Sequence, residues 1–170
     1  MIIFEDELAK LVGIMPPAKI NTSYLQINFG WGTEAVLAKY LALKEKLSFP
    51  LIWLVDGEDE NNLFEESVKR PNTKIYILYE SQAPDQFNDY QHEWDFNIVL
   101  QPILDNLLIA LEQSGISLYN PSSFRTQRIK NFSTKELDKS LVYICNAIVL
   151  TADITFYGNK CLNNSIHFNN

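Results

Sequence analysis

Two groups of acidic side chains have the types and the spacing that binding of a metal ion would need. The first group follows directly on the apolar run from Leu51 to Val55 and consists of Asp56, Glu58, Asp59 and Glu60. An EF-hand calcium loop places acids at positions 1, 3 and 5 and a bidentate Glu at position 12. With Asp56 at position 1, Ser67 occupies position 12, so the sequence predicts a solvated acidic loop and no calcium site.

The second group lies just before the longest predicted helix, and its members are Asp85, Asp89, His92 and Asp95. Spacings of three or four residues put side chains on one face of a helix, and carboxylates with an imidazole are common metal ligands. Pro84 and its polar neighbours predict a loop equally well. The alternative hypothesis for function is therefore a small soluble binding module or a metal-dependent enzyme that uses this cluster.

A nucleotide-binding site is the third kind of site that the sequence suggests. Asp56 ends an apolar strand, as a magnesium-binding Asp does in many nucleotide hydrolases, but the chain lacks the GxxxxGK[ST] phosphate loop that such an Asp would serve. Gly30-Trp31-Gly32 stands between a predicted strand and a predicted helix, where anions can bind. It lacks a third glycine, and Glu34 puts a negative charge where a phosphate would lie. No nucleotide or other cofactor is expected.

The cysteines and histidines offer no nucleophilic site. Cys145 and Cys161 form no CxxC pair, and Cys145 lies inside a predicted strand, so both are expected to be reduced thiols. Neither His92 nor His167 has a serine or cysteine near it in a nucleophile-elbow context. The sequence therefore predicts no catalytic residue, no metal site and no enzymatic activity.

Composition restricts the partners that the chain can have. It has 170 residues, 46% of them hydrophobic, and a formal net charge of −7, which suits a single domain over residues 1–170. A negative chain is poorly suited to nucleic acid, and its densest basic spot is only Arg125, Arg128 and Lys130. The acidic start MIIFEDELAK is unlike a signal peptide, and no apolar run approaches the roughly 20 residues of a membrane span. We expect no nucleic acid binding, no membrane and no secretion by a signal peptide.

The first half of the chain reads as two helices and two strands. A short helix from Phe4 ends at Gly13, before Pro16-Pro17, and residues 1–17 form this N-terminal helix and turn. Alternation predicts a strand at residues 23–29, which the glycines at 30 and 32 should break. Thr33 is a candidate N-cap for a helix that reaches about Leu47. Residues 51–56 form the next strand, and residues 62–69 an irregular turn packed by Leu63, Phe64 and Val68.

The second half supplies the main core element. Pro71-Asn72 predicts a turn, and KIYILYE at residues 74–80 is apolar on both faces, as a central strand is. Apolar residues at helical spacing predict a long helix from residue 93 or 94 to Ser114, with Pro102 as a kink or as its true first turn. FRTQRI is a candidate edge strand, residues 141–157 alternate as one or two long strands, and residues 159–170 are expected to be a flexible tail. These elements predict an α+β fold, a two-layer α/β sandwich whose mixed or mostly antiparallel sheet has the two main helices on one face.

The order of these elements resembles a known group of proteins. The strings NFGWGTEA, FPLIWLV, KIYILYE, NIVLQPILDNLLIALEQS and AIVLTADITF follow one another over residues 20–160. This order is similar to that of the structural proteins that complete the neck or tail of tailed phages and prophages, the tail terminators and head–tail connector proteins. In that group a helix with a central segment like Leu100–Leu104 packs on a sheet beside a strand like Pro50–Val55.

The resemblance implies a non-enzymatic structural subunit that forms a homo-oligomeric ring, often a hexamer. Such a ring joins or caps the tail tube in the virion, contacts tail tube and neck proteins, and is assembled in the host cytoplasm. An unpaired strand edge can pair with a neighbouring chain, and an exposed aromatic can anchor an interface. Trp31 beside two glycines, the acidic loop (Asp56, Glu58, Asp59 and Glu60) and two apolar residues of the tail, Ile166 and Phe168, are the candidate contacts.

Overall fold

The computed structural model describes residues 2–43, 49–81, 89–141 and 144–169, and of residues 89–91 only the backbone. Four α-helices precede or interrupt the strands: α1 (Phe4–Ile14), α2 (Glu34–Ala42), α3 (Asp89–Trp94) and α4 (Gln101–Gln113). A π-helical segment, Asp95–Leu100, joins α3 to α4, and Ser133–Leu137 forms a second π-helical turn. The predicted extension of α2 to Leu47 lies outside the described residues.

Nine strands complete the described fold. They are β1 (Ala18–Ile20), β2 (Ser23–Leu25), β3 (Asn28–Gly32), β4 (Leu51–Val55), β5 (Glu60–Asn62), β6 (Ser67–Glu80), β7 (Ser117–Tyr119), β8 (Arg125–Ile129) and β9 (Cys145–Tyr157). β1 and β2 form a small hairpin of their own, and the other seven strands form one sheet. Only β3 and β4 run parallel, and every other pair of this sheet is antiparallel, so the predicted α+β class with a mixed, mostly antiparallel sheet is confirmed.

The long strands β6 and β9 form the middle of the sheet. Their register runs from Ser67 opposite Tyr157 to Glu80 opposite Cys145. The other side of β6 carries β4 and, further along, β5, with β3 outside β4. The other side of β9 carries β8 and, further along, β7. This confirms KIYILYE as a central strand and FRTQRI as an edge strand.

The sheet has apolar cover on both faces where β4 lies. Ile52 and Leu54 pack into the core cluster that contains α1 and α4, whereas Leu51 and Trp53 pack into the cluster that contains α2. The expectation that both main helices lie on one face is therefore wrong, because α4 covers one face and α2 the other. The physical reason is visible in LIWLV, which is apolar at both alternations and needs cover on both sides.

The long helical region is not one continuous α-helix. Pro102 stands in the first turn of α4, and the chain before it follows the wider π-helical path. Gly115, with φ of 75°, ends the region as predicted. Of the two interpretations of Pro102, the one that places it at the first turn is confirmed.

Three local predictions differ from the structure. The glycines at 30 and 32 do not break a strand, because the break lies at Gln26-Ile27 and both glycines belong to β3. Pro71-Asn72 is not a turn between strands, since both residues lie within β6 at a bulge between Arg70 and Thr73. The turn between β5 and β6 does not pack its apolar side chains, and Leu63 and Phe64 are exposed.

The C-terminal segment is held against α4 and is not a free extension. The side chain of Asn106 on α4 donates to the carbonyl of Asn169 at 3.1 Å and accepts from its N–H at 2.9 Å. Asn163 N–H donates to the carbonyl of Ser114 at 2.8 Å. Phe168 packs on the core cluster beneath α4. Within the described residues, the predicted tail thus contacts α4 through Asn169 and the end of that helix through Asn163. None of the described helices has the length and apolar character of a membrane span.

Candidate functional site

The acidic loop does not act as one unit, because Asp59 turns away from the other acids. Its carboxylate accepts two hydrogen bonds from Arg70, from Nε to Oδ1 at 2.6 Å and from Nη2 to Oδ2 at 3.0 Å. Glu5 on α1 accepts a third, from Nη2 at 2.6 Å. The Asp59 carboxylate therefore holds the loop to Arg70 of β6, beside Glu5 of α1.

Arg70 is the centre of a largely buried ionic cluster. Its side chain is 3% exposed, and its guanidinium lies 4.3 Å from the ring centroid of Phe4. Burial acts to lower the pKa of Arg70, but hydrogen bonds from its guanidinium to Asp59 and Glu5 outweigh burial and raise it. The cluster fastens α1 and the acidic loop to the bulged part of β6, so it is part of the scaffold.

The other acids of this edge are exposed. Asp56 and Glu58 precede β5, Glu60 begins it, and Glu65 lies in the turn that follows. Glu60 contacts Lys69 at 3.8 Å across the hairpin, and in the described part of the chain no ion pair involves Glu58 or Glu65. Among the described residues no group of three acids, histidines or cysteines is placed to hold a metal ion. The acids therefore form a negative edge of the sheet.

The segment Gly30-Trp31-Gly32 packs closely against the indole of Trp53. A Cβ on Gly30 would lie 2.6 Å from a ring carbon of Trp53, which stands directly opposite on β4. Trp53 Nε1 donates to the carbonyl of Gly32 at 3.1 Å. The absence of a side chain at Gly30 and Gly32 thus allows the close approach of Trp53. Trp31 is 53% exposed on the edge strand β3 and stacks on Phe29, so it remains available for contact.

Two members of the second acidic group, His92 and Asp95, meet in a buried polar cluster that sequence reasoning did not include in full. Asn146 on β9 joins them, with Nδ2 donating to Asp95 Oδ2 at 2.7 Å and lying 2.9 Å from His92 Nδ1. Asn146 Oδ1 also accepts from the N–H of Asn131 at 3.0 Å. Asp85 lies outside the described residues, as does the side chain of Asp89. The three described side chains are at most 2% exposed, so their polar atoms face one another. The sequence signal that could have indicated Asn146 is a lone amide within an apolar strand.

The two cysteines differ in surroundings. Cys145 is buried at the start of β9, where its N–H donates to Ser133 Oγ at 3.0 Å. Burial raises the pKa of the Cys145 thiol to about 12, with the charge of Glu80 adding to the effect. Cys161 is exposed near the C-terminus. The buried thiol of Cys145, which stays protonated, is unsuited to nucleophilic chemistry.

The opposite edge of the sheet is basic. In the described residues β8 pairs only with β9, and four of its five residues are exposed. Arg125 donates to the carbonyls of Ser122 and Phe124. Arg128 donates to Asn97 and Gln101, both at 2.9 Å. All four acceptors are uncharged, so none of them neutralises the positive charge of Arg125 or Arg128. The sequence showed the basic spot but not its place on an edge.

The turn between β5 and β6 carries the most exposed apolar pair of the described residues. Leu63 is 86% exposed and Phe64 102%. Asn62 Oδ1 accepts from the N–H groups of Phe64 and Glu65 at 3.1 and 3.3 Å, which fixes the turn. We call Leu63 and Phe64 the hairpin tip. The prediction of a turn packed by three apolar residues is wrong for Leu63 and Phe64, whereas the third, Val68, is buried on β6.

Of the two apolar tail residues, neither is freely exposed. Phe168 packs on its own core, and Ile166 is half-buried. Phe168, a candidate contact from the sequence, is thus partly covered by its own chain. A groove of about 580 Å³ lies nearby, between the β1–β2 hairpin and the helical layer. Its apolar walls include Pro16, Pro17, Tyr24, Ile27, Ile98 and Pro102.

These features place four groups at the surface: an acidic edge, a basic edge, the hairpin tip and an apolar groove. In comparisons with known proteins, the chain matches no protein-family model and no curated protein closely enough to indicate a relative.

Proposed function

We propose that this chain is a non-enzymatic structural subunit that associates head to tail with copies of itself to form a ring. In the resemblance described above, such a ring belongs to the neck or tail of a tailed phage or of a tail-like injection machine, where it joins or caps the tail tube. The site of action would then be the virion. The self-association rests on the geometry of the sheet, and the tail context rests on the resemblance.

One observation carries the proposal: among the described residues, the outer strands on opposite sides of the sheet pair with no further strand, and these two edges have opposite charge. β9 occupies one whole side of β6, so β5 and β4 lie on its other side, with β3 outermost. Here the described acids Asp56, Glu58, Glu60 and Glu65 are exposed, and we call this side the acidic edge. β8, with Arg125 and Arg128, is the basic edge beyond β9.

Open strand edges offer a row of unpaired N–H and C=O groups to another chain. The acidic edge and the basic edge are complementary in charge, whereas two copies of the same edge repel each other. The acidic edge of one copy can therefore pair with the basic edge of the next. A contact of this heterologous kind closes into a ring when the rotation between copies allows it. Charge complementarity also disfavours the contacts between like edges and so sets the direction of assembly.

Trp31 belongs to this proposal, since it lies exposed on the outermost strand of the acidic edge. A large aromatic at the centre of an interface is a common source of binding energy. Asp59 does not belong to it, because Arg70 and the scaffold use its carboxylate.

The alternative function, a metal-dependent enzyme at the second acidic group, has less support. A metal site needs ligand atoms directed at a common point, but His92 Nδ1 and Asp95 Oδ2 are both directed at the amide of Asn146. The buried cluster instead links the helical layer to β9. We therefore propose a role for it in stability.

The proposal is tested by the mass of the protein in solution over a wide range of concentrations. We expect a ring or its smaller precursors, and we expect Glu58→Lys with Glu65→Lys to shift the mass towards the monomer. Glu93→Lys with Glu112→Lys is the matched control, because it makes the same change of charge at exposed acids away from the acidic edge. A native chain that stays monomeric at every concentration, alone and with tail tube protein, would contradict the proposal. Equal masses for the two variants would contradict the role of the acidic edge.

A further inference from the structure

We propose that the hairpin tip of one copy inserts into the apolar groove of the next copy, with Phe64 against Ile98. This inference rests on the proposed head-to-tail assembly and names the second pair of surfaces within the same interface. It gives a function to two features that do not stabilise the fold, namely the fully exposed side chain of Phe64 and the apolar groove.

The hairpin tip is built as an inserting element. Leu63 and Phe64 are adjacent, and neither covers any part of the core. Single exposed apolar residues are common on protein surfaces, but a rigid projecting pair is not explained by that background. The strand register ends with Asn62 opposite Ser67, and the Asn62 side chain holds the turn from within. A turn that is ordered before binding loses little conformational entropy when it binds.

The groove has the size and the lining to receive the tip. Its volume of about 580 Å³ lies within the range of about 300–1,000 Å³ that is usual for pockets that enclose ligands. Ile98 on its wall is 46% exposed and Tyr24 is 65% exposed, so apolar surface is open to an incoming side chain. Asn106 and Asn169 also line the groove, but their side-chain amide and backbone groups are bonded to each other.

Charge at the two surfaces favours a second copy as the occupant. Glu65 directly follows Phe64, and its carboxylate has no ion pair in the described part of the chain. Lys19 lines the groove and is exposed. An inserted tip would therefore bring an unpaired carboxylate close to an ammonium group of the receiving copy.

Continuity within the chain places both contacts in one interface. On the donating copy the hairpin tip directly follows β5, so it extends the acidic edge. On the receiving copy Arg128 of the basic edge is bonded to Asn97 and Gln101. The residues that follow these two in sequence, Ile98 and Pro102, line the groove. A copy that docks its acidic edge on β8 thus has the groove of the same neighbour beside it.

The inference is tested by replacing Phe64 with a photoreactive benzoylphenylalanine in the full-length chain and mapping the crosslinks after irradiation of the assembled protein. We expect crosslinks between copies, to residues 16–27 or 98–106. Crosslinks between copies at other sites, or only within one copy, would overturn the inference while leaving the head-to-tail ring intact. Failure of the native chain, with Phe64 in place, to assemble would instead overturn the proposed function, and this inference with it.

Substitutions give an independent reading of the same contact. Phe64→Ser and Ile98→Asp should each weaken association between copies by about 10- to 100-fold, the effect of losing one buried large apolar side chain. Leu118→Ser is the control, because Leu118 is 58% exposed on β7, outside both surfaces. Association that is unchanged in Phe64→Ser overturns the inference. Circular dichroism of each variant verifies that the fold persists, as expected for exposed positions.

Discussion

Asp59 lies at the open edge of the sheet, yet its carboxylate accepts two hydrogen bonds from the buried guanidinium of Arg70, at 2.6 and 3.0 Å. This pairing divides a run of acids that looks uniform in sequence. One acid of the loop stabilises the scaffold, and the exposed acids around it are left for an external partner.

We therefore expect Asp59→Asn to destabilise the fold by about 1–3 kcal/mol, because the substitution weakens charge-assisted hydrogen bonds to a buried cation. Glu58→Gln is the control, since Glu58 is exposed and makes no described ion pair. Unfolding by urea measures both. Equal stability of the two variants would show that the Arg70 cluster contributes nothing measurable.

The helix α4 contributes buried apolar side chains to the core, among them Leu104 and Leu107. Leu107 is 0% exposed, and Leu107→Ala should reduce the free energy of unfolding by about 2–5 kcal/mol, as truncation of a buried Leu does. Leu118→Ala on the surface of β7 should change it by less than about 0.5 kcal/mol. Thermal or urea unfolding gives both values. A loss at Leu107 as small as at Leu118 would mean that α4 does not pack as described.

The two thiols should differ in reactivity. At about pH 8 iodoacetamide should modify Cys161 in the folded protein and reach Cys145 only after unfolding, because Cys145 is buried and its pKa is raised to about 12. Mass spectrometry of the native and the denatured protein counts the modified sites. Rapid modification of both thiols in the folded protein would contradict the buried position of Cys145.

The same thiol makes the stability depend on pH. In the unfolded chain a cysteine ionises near about pH 8.5, whereas in the fold Cys145 keeps its proton until about pH 12. The unfolded state thus loses its proton first, and the contribution of the protonated thiol is present below about pH 8.5 and declines as pH rises towards 12. The stability difference between the native chain and Cys145→Ala should shrink over this range. A constant difference would contradict the raised pKa.

We expect no tight metal site on the acidic edge. Asp59 is bonded to Arg70, and the remaining exposed acids lack the twelfth-position Glu that completes a calcium loop. Calorimetry with calcium, magnesium or manganese should show no binding tighter than about millimolar, the weak end of calcium affinities. Micromolar binding that Asp56→Asn abolishes would refute this expectation.

The spacing of apolar residues predicted the helical region and the strands that are buried on both faces. The apolar series from Phe96 to Leu111 identified the helical region, the doubly apolar run KIYILYE identified a central strand, and the run LIWLV identified the strand β4. The same doubly apolar pattern of β4 contained the information that both faces are covered. The two helices were nevertheless assigned to one face, because the side on which a helix packs depends on the connections and not on its own residues.

Long-range packing explains the remaining differences. Gly30 predicted a break because glycine is usually a break signal, but its role depends on Trp53 across the strand pair. The Arg70 cluster joins Glu5 to a residue 65 positions later, and no local pattern reveals such a pair. The sequence also contained no sign that the hairpin tip is exposed, since apolar residues in a short turn are expected to pack. In the sequence Leu63 and Phe64 look like any other core pair.

The central claim is that the acidic edge of one copy meets the basic edge of the next. It is tested most directly by the solution mass of a mixture of two charge-altered chains. One chain carries Asp56→Lys with Glu58→Lys, and the other carries Arg125→Glu with Gln127→Glu, all at exposed positions.

Each altered chain alone brings like charges together in every head-to-tail contact, so each should remain monomeric under conditions in which the native chain assembles. In the mixture the two kinds of copy can alternate, and every contact again joins opposite charges. We expect sedimentation analysis to show that mixing restores a large part of the native mass. If both altered chains assemble alone as the native chain does, or if their mixture stays monomeric, the two edges do not meet and the account is contradicted.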